Sequence, residues 1–338
     1  MCIIVEDEET NMSRINDQYF SDIYIMPDKK VFVPDSRTEN GLRQFQPDDF
    51  EAFYNILEQT YLKYNRSSYS VIYEDYFFRV ERTVSMHGVI FCMRKMPKQV
   101  PDLTSLGYPP ALIKYLATLG QASGLILLGG ATGSGKTTTI SSLLREFLVR
   151  NGGFAYTIED PFEMPLDGEY QAANGSLGVC KQTQPINDDW GASLRSALRS
   201  RPRYIMVGEI RTPDAASECL RAATSGHLVL STIHANNVSD AIDAMVKHAS
   251  AGEMSEELAF DLLSRGILSV IHQTLIGAGS KRPVVQYLFA NPNTTQGDQT
   301  RNIIKSGKIN LATTIEMQMT RMAQGRPLFD MVERNAIK

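Results

Sequence analysis

Gly130-Ala131-Thr132-Gly133-Ser134-Gly135-Lys136-Thr137 reads G-x-x-x-x-G-K-[ST] without a mismatch. Residue types in this order hold a phosphate. The backbone N–H groups of a glycine-rich loop wrap the anion, and side chains at the glycine positions would block its approach. The following helix aims its positive N-terminal end at the same anion. Lys136 is placed to reach the β- and γ-phosphates, and the Thr137 hydroxyl to ligate Mg²⁺. Gly130, Thr132, Gly133, Ser134, Gly135 and Thr138 complete the expected phosphate contacts, which makes ATP and Mg²⁺ the expected cofactors. A Gly/Ser linker can match such a pattern by chance. Here residues 124–128 (GLILL) read as a buried strand, and residues 136–150 as a helix with Ile140, Leu143, Leu144 and Leu148 on one side. Strand, loop and helix in that order favour the phosphate site.

Three further stretches carry chemistry. TIEDPFE (157–163) ends the strand after the P-loop helix, and the carboxyl ends of parallel strands line a ligand crevice. Glu159, Asp160 and Glu163 are candidates to orient or deprotonate a water, or to hold Mg²⁺ through water, with a solvated acidic turn broken by Pro161 as the plainer reading. RYIMVGE (203–209) is an apolar strand ending in an acid, the pattern of a Walker B element, with Glu209 polarising metal-bound water. SGHLVLSTIH (225–234) places His227 and His234 at the two ends of a buried strand, roughly 23 Å apart. That span excludes a shared metal. His234 is expected at the same strand edge as Glu209, within reach of the γ-phosphate.

These residues need a scaffold. From residue 111 onward, helices alternate with short apolar strands at 124–129, 153–158, 204–207 and 228–233, which implies a mostly parallel sheet covered on both faces. After Ser239 the pattern is mainly helical to the end, apart from a strand-like stretch at 283–290; 291–299 reads as a polar loop. Residues 1–96 form a separate α+β unit. Strand-like runs occur at 23–25, 31–33, 76–80 and 89–93. Residues 50–64 show helical periodicity with Phe53, Ile56, Leu57 and Tyr61 on the inner side. The prolines between 97 and 110 favour an extended linker.

Composition fits that division. The 338 residues suggest two domains, and 34 basic against 38 acidic residues argue against a strongly basic nucleic-acid binder. Cys2, Cys92, Cys180 and Cys219 are scattered and form no C-x-x-C pair, so neither a zinc site nor a disulfide framework is expected, and a reducing cytoplasm is the simpler setting. The N-terminal MCIIVEDEETNM is acidic, and its apolar run is too short for a signal peptide. No apolar run approaches the ~20 residues of a membrane helix.

TIEDPFE, ALRSRPRYIMVGEIR and AATSGHLVLSTIHANN follow the P-loop in the order of the Asp box, Walker B and His box of the secretion and pilus ATPase superfamily, which this chain resembles. It is especially similar to PilT-like retraction motors and DotB-like type IV secretion ATPases. SDIYI (21–25), residues 78–110, SVIHQTL (269–275) and TRNIIKSGK (300–308) extend the resemblance to about nine-tenths of the chain. Arg203 stands where an acid often precedes the Walker B strand, and the zinc-binding cysteine cluster of many assembly ATPases is missing. TRNIIKSGK is an approximate copy of the retraction motors' segment. These departures favour a DotB-like or conjugative-pilus ATPase.

The resemblance implies a PAS-like N-terminal domain (1–96), a flexible linker (97–110) and a RecA-like ATPase domain (111–338) with a helical C-terminal part. It also implies a cytoplasmic homohexameric ring held at the inner membrane by secretion or pilus platform proteins, with no direct nucleic-acid binding. Arginines near the end of the N-terminal domain, Arg79, Arg82 and Arg94, are expected over the neighbouring subunit's ATP, with Arg79 and Arg94 favoured. Arg195 and Arg199, four apart on a helix before the Walker B strand, are further candidates, with Arg195 at a subunit interface. A RecA-like DNA translocase or helicase would use the same core chemistry. A scaffold that binds ATP only to hold the ring would lack the need for Glu209.

Overall fold

The computed structural model describes residues 14–17, 20–35, 38, 41–74, 76–277, 281–294 and 298–329. The acidic N-terminal stretch, Cys2 and residues 295–297 of the polar loop lie outside them. The chain divides into two compact units. One runs to Lys98 and takes in Asp160–Pro165; the other comprises Gln99–Glu159 and the chain from Leu166 onward.

The first unit contains β1 (Asp22–Ile25), β2 (Val31–Pro34), β3 (Leu42–Phe45), α1 (Phe50–Tyr64), β4 (Ser68–Tyr73), β5 (Tyr76–Ser85) and β6 (Gly88–Met96). Among the described residues the strands form one antiparallel sheet in the order β3-β2-β1-β6-β5-β4. Alternation builds its inner face: Tyr69, Val71 and Tyr73 of β4 are buried while the residues between them are not. Helix α1 supplies Phe50, Phe53 and Leu57 to the same core, with Ile56 and Tyr61 half-buried at its margin. The Phe53 ring lies 5.0 Å from that of Tyr73 and 5.1 Å from that of Phe78. The helix stops where Asn65 turns left-handed (φ 49°) and its N–H bonds the Tyr61 carbonyl. This is the expected PAS-like α+β module.

The second unit contains α2 (Pro110–Thr118), β7 (Gly124–Gly129), α3 (Lys136–Asn151), β8 (Gly153–Ile158), β9 (Gly168–Gln171), β10 (Leu177–Thr183), α4 (Trp190–Arg199), β11 (Tyr204–Val207) and α5 (Pro213–Thr224). It continues with β12 (Leu228–Ile233), α6 (Val238–Ser250), α7 (Glu256–Gly266), β13 (Ile267–Ile276), β14 (Arg282–Phe289), α8 (Gln299–Lys305) and α9 (Ala312–Ala323). The sheet order is β14-β13-β7-β12-β11-β8-β10-β9, parallel from β13 to β10, with β14 and β9 as antiparallel edges. Every residue of β7, β11 and β12 is buried, the signature of strands covered on both faces. Side chains of Asp189, Thr212, Asn237, Ser255 and Asp298 cap the N-termini of α4, α5, α6, α7 and α8. This is the RecA-like core. None of the described helices is long and apolar enough to cross a membrane.

Two expectations are corrected. Residues 267–276, read as helical, form strand β13, which runs straight on from α7 at Gly266. Residues 99–110, read as an extended linker, belong to the second unit. Val100, Leu103 and Tyr108 are buried, Asp102 pairs with Arg145 of α3, and Pro110 opens α2 in the first-turn position that tolerates proline.

Candidate nucleotide-binding site

Strand β7 delivers Gly129 to the carboxyl edge of the sheet, and the loop 130–135 turns back into α3. Two glycines are required by space as well as by conformation. A Cβ on Gly130 would lie 2.5 Å from the Gln273 carbonyl oxygen, and one on Gly135 (φ 83°) would lie 2.9 Å from the Gln273 side-chain nitrogen. The loop tip, Ala131 to Gly133, is exposed, whereas Lys136 is only 7% exposed. Its ammonium donates to the carbonyls of Gly130 and Ala131, both at 2.9 Å. The buried Ser134 hydroxyl has no hydrogen-bond partner among the described residues. A buried ammonium, an orphaned hydroxyl and two loop positions without room for a Cβ fit a phosphate group. Thr137 and Thr138 lie half-buried in the first turn of α3.

Glu209 follows β11, and His234 follows β12, the strand between β11 and β7. Strand order therefore sets the spacing: Glu209 stands two strand spacings, roughly 10 Å, from the P-loop strand, with His234 between them. The Glu209 carboxylate meets His234 Nε2 at 2.9 Å through one oxygen and the Arg211 guanidinium through the other. The same Nε2 is 3.5 Å from the Thr132 hydroxyl. His234 is 56% exposed, so its ring is open to an incoming ligand.

Glu159 ends β8, one strand further from the P-loop. It is 2% exposed, and one oxygen accepts from the Thr157 hydroxyl (2.7 Å) and the Gln182 amide (2.9 Å). It supports the turn at Gly208, where an added Cβ would lie 3.3 Å from the Glu159 Cγ.

Asp160 and Glu163 fall in the segment that clusters with residues up to Lys98. Asp160 lies 3.9 Å from Arg66, and Glu163 lies 3.6 Å from Arg79. Both acids therefore face guanidinium groups of their own unit, which differs from the expected water-activating and metal-ligating roles. Arg94 donates to Asp22 at 2.8 Å, and Arg79 and Arg94 are directly opposed on β5 and β6. Like charges at opposed positions repel, so Asp22 and Glu163 relieve a cost built into the sheet.

His227, expected from the family resemblance among the nucleotide-binding residues, lies elsewhere in the chain's own fold. It precedes β12 at the edge of the sheet remote from the P-loop, where its Nδ1 lies 2.7 Å from the Pro202 carbonyl and its own carbonyl accepts from Gly124 N–H. A strand's length separates it from its own chain's loop. Arg195 pairs with Glu218 of α5 at 3.1 Å within the chain. Arg203 donates to the Gly120 carbonyl at 2.8 Å and to the Tyr204 hydroxyl at 3.0 Å, a role in joining α2's end to the sheet.

Among the described residues no group of three or more His, Cys, Asp or Glu is arranged to hold a metal. Mg²⁺ beside a nucleotide keeps waters and phosphate oxygens as most of its ligands. The Thr137 hydroxyl, and Glu209 through water, are the protein groups available to it.

A family profile described as "Type II/IV secretion system protein" matches residues 63–323. The chain belongs to this family. Members of the type II/IV secretion system protein family that it resembles include a twitching motility protein of Neisseria gonorrhoeae, 31% identical over 235 residues, which are 69% of this chain and 59% of that protein. The chain thus spans less than two-thirds of that relative's length. Its fold superposes on the crystal structure of the pilus retraction motor PilT with bound ADP with a TM-score of 0.68 and 26% identity, covering 93% of this chain and 88% of that one. The Legionella pneumophila ATPase DotB shares the fold, with a TM-score of 0.66 at 22% identity over 91% of this chain and 88% of that one.

Sequence reasoning missed Tyr108, Thr139, Gln182, Arg211 and Gln273. Gln273 left a trace: a polar residue that is 2% exposed within a largely apolar ten-residue run.

Proposed function

We propose that this member of the type II/IV secretion system protein family is a Mg²⁺-dependent ATPase motor. It works as a cytoplasmic homohexameric ring and powers a type IV secretion, conjugation or type IV pilus machine at the inner membrane. The observation that carries the reading is the Glu209–His234 pair at 2.9 Å on adjacent strand tips beside a P-loop whose lysine is buried. A scaffold that only binds nucleotide has no use for a carboxylate held there. The ADP bound in the PilT structure supports nucleotide binding by this chain.

Lys136 binds the β- and γ-phosphates, and the loop N–H groups and the α3 N-terminus orient them. Glu209 orients an attacking water and draws its proton, while His234 fixes the carboxylate and presents its ring to the γ-phosphate. Mg²⁺ supplies charge neutralisation on the phosphates. The opposed Arg79 and Arg94 are the cations available to a neighbouring subunit's site. Partner proteins hold the ring at the membrane, and no nucleic acid is engaged.

Purified protein assayed for phosphate release with MgATP, alone and with single-stranded DNA, tests this. Turnover that is abolished by EDTA and unchanged by DNA supports the motor. Stimulation by DNA supports a translocase. ATP binding without turnover supports a scaffold.

A further inference from the structure

Gln273 sits on β13 one residue beyond His272, which pairs with Gly129 at the end of β7. It therefore lies directly against the P-loop while belonging to a different part of the chain. Its side-chain nitrogen donates to the Ser134 carbonyl at 2.6 Å. That acceptor can be served only by N–H, so the side-chain oxygen must point the other way. There it accepts from the Thr139 hydroxyl at 3.0 Å and from the Tyr108 hydroxyl. The two hydroxyls are themselves 2.7 Å apart, so two protons serve three contacts in one buried triangle. Tyr108, Thr139 and Gln273 are each at most 5% exposed, and the Tyr108 phenol is pushed up from its ordinary pKa by burial. It stays a neutral donor.

We propose that Gln273 is the positioning residue of the P-loop and that Tyr108 is its anchor. Gln273 bonds the loop at the Ser134 carbonyl, and its backbone carbonyl and side-chain nitrogen occupy the space that a Cβ on Gly130 or on Gly135 would need. It fixes the direction of the loop N–H groups before any phosphate arrives. Tyr108 lies on the stretch 99–110, which enters the second unit just after Lys98. The phenol therefore ties loop geometry to the stretch 99–110 with which the second unit begins, and nucleotide that redirects the Ser134 carbonyl alters the hold on that stretch. The site proposal above assigned this loop to ATP, and the inference rests on that reading for its nucleotide arm only.

The test uses the full chain and the variants Gln273→Glu, Gln273→Leu and Tyr108→Phe. Glu keeps the shape but cannot donate when ionised; Leu removes all polarity; Phe removes one hydroxyl. Amide hydrogen exchange at residues 130–137 is followed without nucleotide. Exchange about tenfold faster in both Gln273 variants, and faster by a smaller factor in Tyr108→Phe, is expected from the loss of one or two buried hydrogen bonds. Steady-state kinetics should show KM for ATP raised about tenfold with kcat within about twofold, the pattern of lost ground-state positioning. In the wild type ATP should slow exchange across 103–112, and in Tyr108→Phe this protection should vanish. A merely structural glutamine would lower the thermal midpoint without splitting KM from kcat. Unchanged loop exchange, or kcat falling with KM unchanged, overturns the proposal. A wild-type protein that neither binds nor hydrolyses ATP sinks the functional reading instead, while the nucleotide-free exchange still decides Gln273.

Discussion

His234 Nε2 lies 2.9 Å from the Glu209 carboxylate and 3.5 Å from the Thr132 hydroxyl, so one imidazole links the Walker B acid to the P-loop. The two residues act as a unit. Glu209→Gln should slow single-turnover hydrolysis on the order of 10²-fold or more while nucleotide binding persists. His234→Ala should slow it less, and the double variant should be no worse than Glu209→Gln alone. Multiplying effects in a double-mutant cycle would show that His234 works apart from Glu209.

Lys136→Ala should abolish ATP turnover and leave the fold intact. The ammonium is the P-loop's own cation, and its two bonds go to loop carbonyls rather than to the core, the one to Ala131 at the exposed tip being open to replacement by water. Circular dichroism and a phosphate-release assay on the same preparation check both halves. Wild-type turnover would remove the P-loop from the mechanism.

Arg301 carries the TRNIIKSGK segment, and its role is structural. It is 5% exposed and donates to the Ser264 and Arg265 carbonyls (2.9 and 2.5 Å) at the end of α7. Arg301→Met should cost roughly 2–3 kcal/mol by stranding those acceptors. Urea unfolding read by fluorescence measures it, and a loss below the error of the fit would reject the assignment.

His272 is held below the ordinary histidine pKa, chiefly by burial; Lys136 lowers it further, while a hydrogen bond from the ring to the Ala235 backbone and the charge of Asp240 oppose the shift. A folded pKa beneath the unfolded one, about 6.5, means the unfolded chain binds the proton more readily. The contribution is therefore fully present above that pH and lost as pH falls toward the folded pKa. The stability difference between wild type and His272→Asn should shrink from pH 7.5 to 5.5. A pH-independent difference would show that the ring does not titrate on unfolding.

Rings mixed from Lys136→Ala and Arg94→Ala protomers should regain part of the activity each lacks, because some interfaces then pair an intact loop with an intact arginine. If each variant assembles and mixing restores nothing, Arg94 does not act between subunits.

The parts legible in the sequence were those with local signals. The P-loop, Glu209 and His234 each follow a short, largely apolar strand, and the α1 span was visible from its period. What escaped was long-range or unpunctuated. Strand β13 follows α7 without a turn residue, so its ten residues extended the helical pattern. Gln273 gains its meaning from Ser134, 139 positions earlier. Glu163 looked like active-site chemistry because nothing local announces Arg79. The prolines near 109 argued for extension, yet proline also opens helices, and the burial of Leu103 and Tyr108 decided for packing.

The position of the Lys136 ammonium has a consequence for ligand choice. The carbonyls of Gly130 and Ala131 hold it against the same backbone that would wrap a phosphate. Chloride offers charge alone and cannot also meet the loop N–H donors. A polyphosphate chain offers several oxygens at once and can meet the ammonium and the loop together, so this arrangement favours multidentate guests over simple halides.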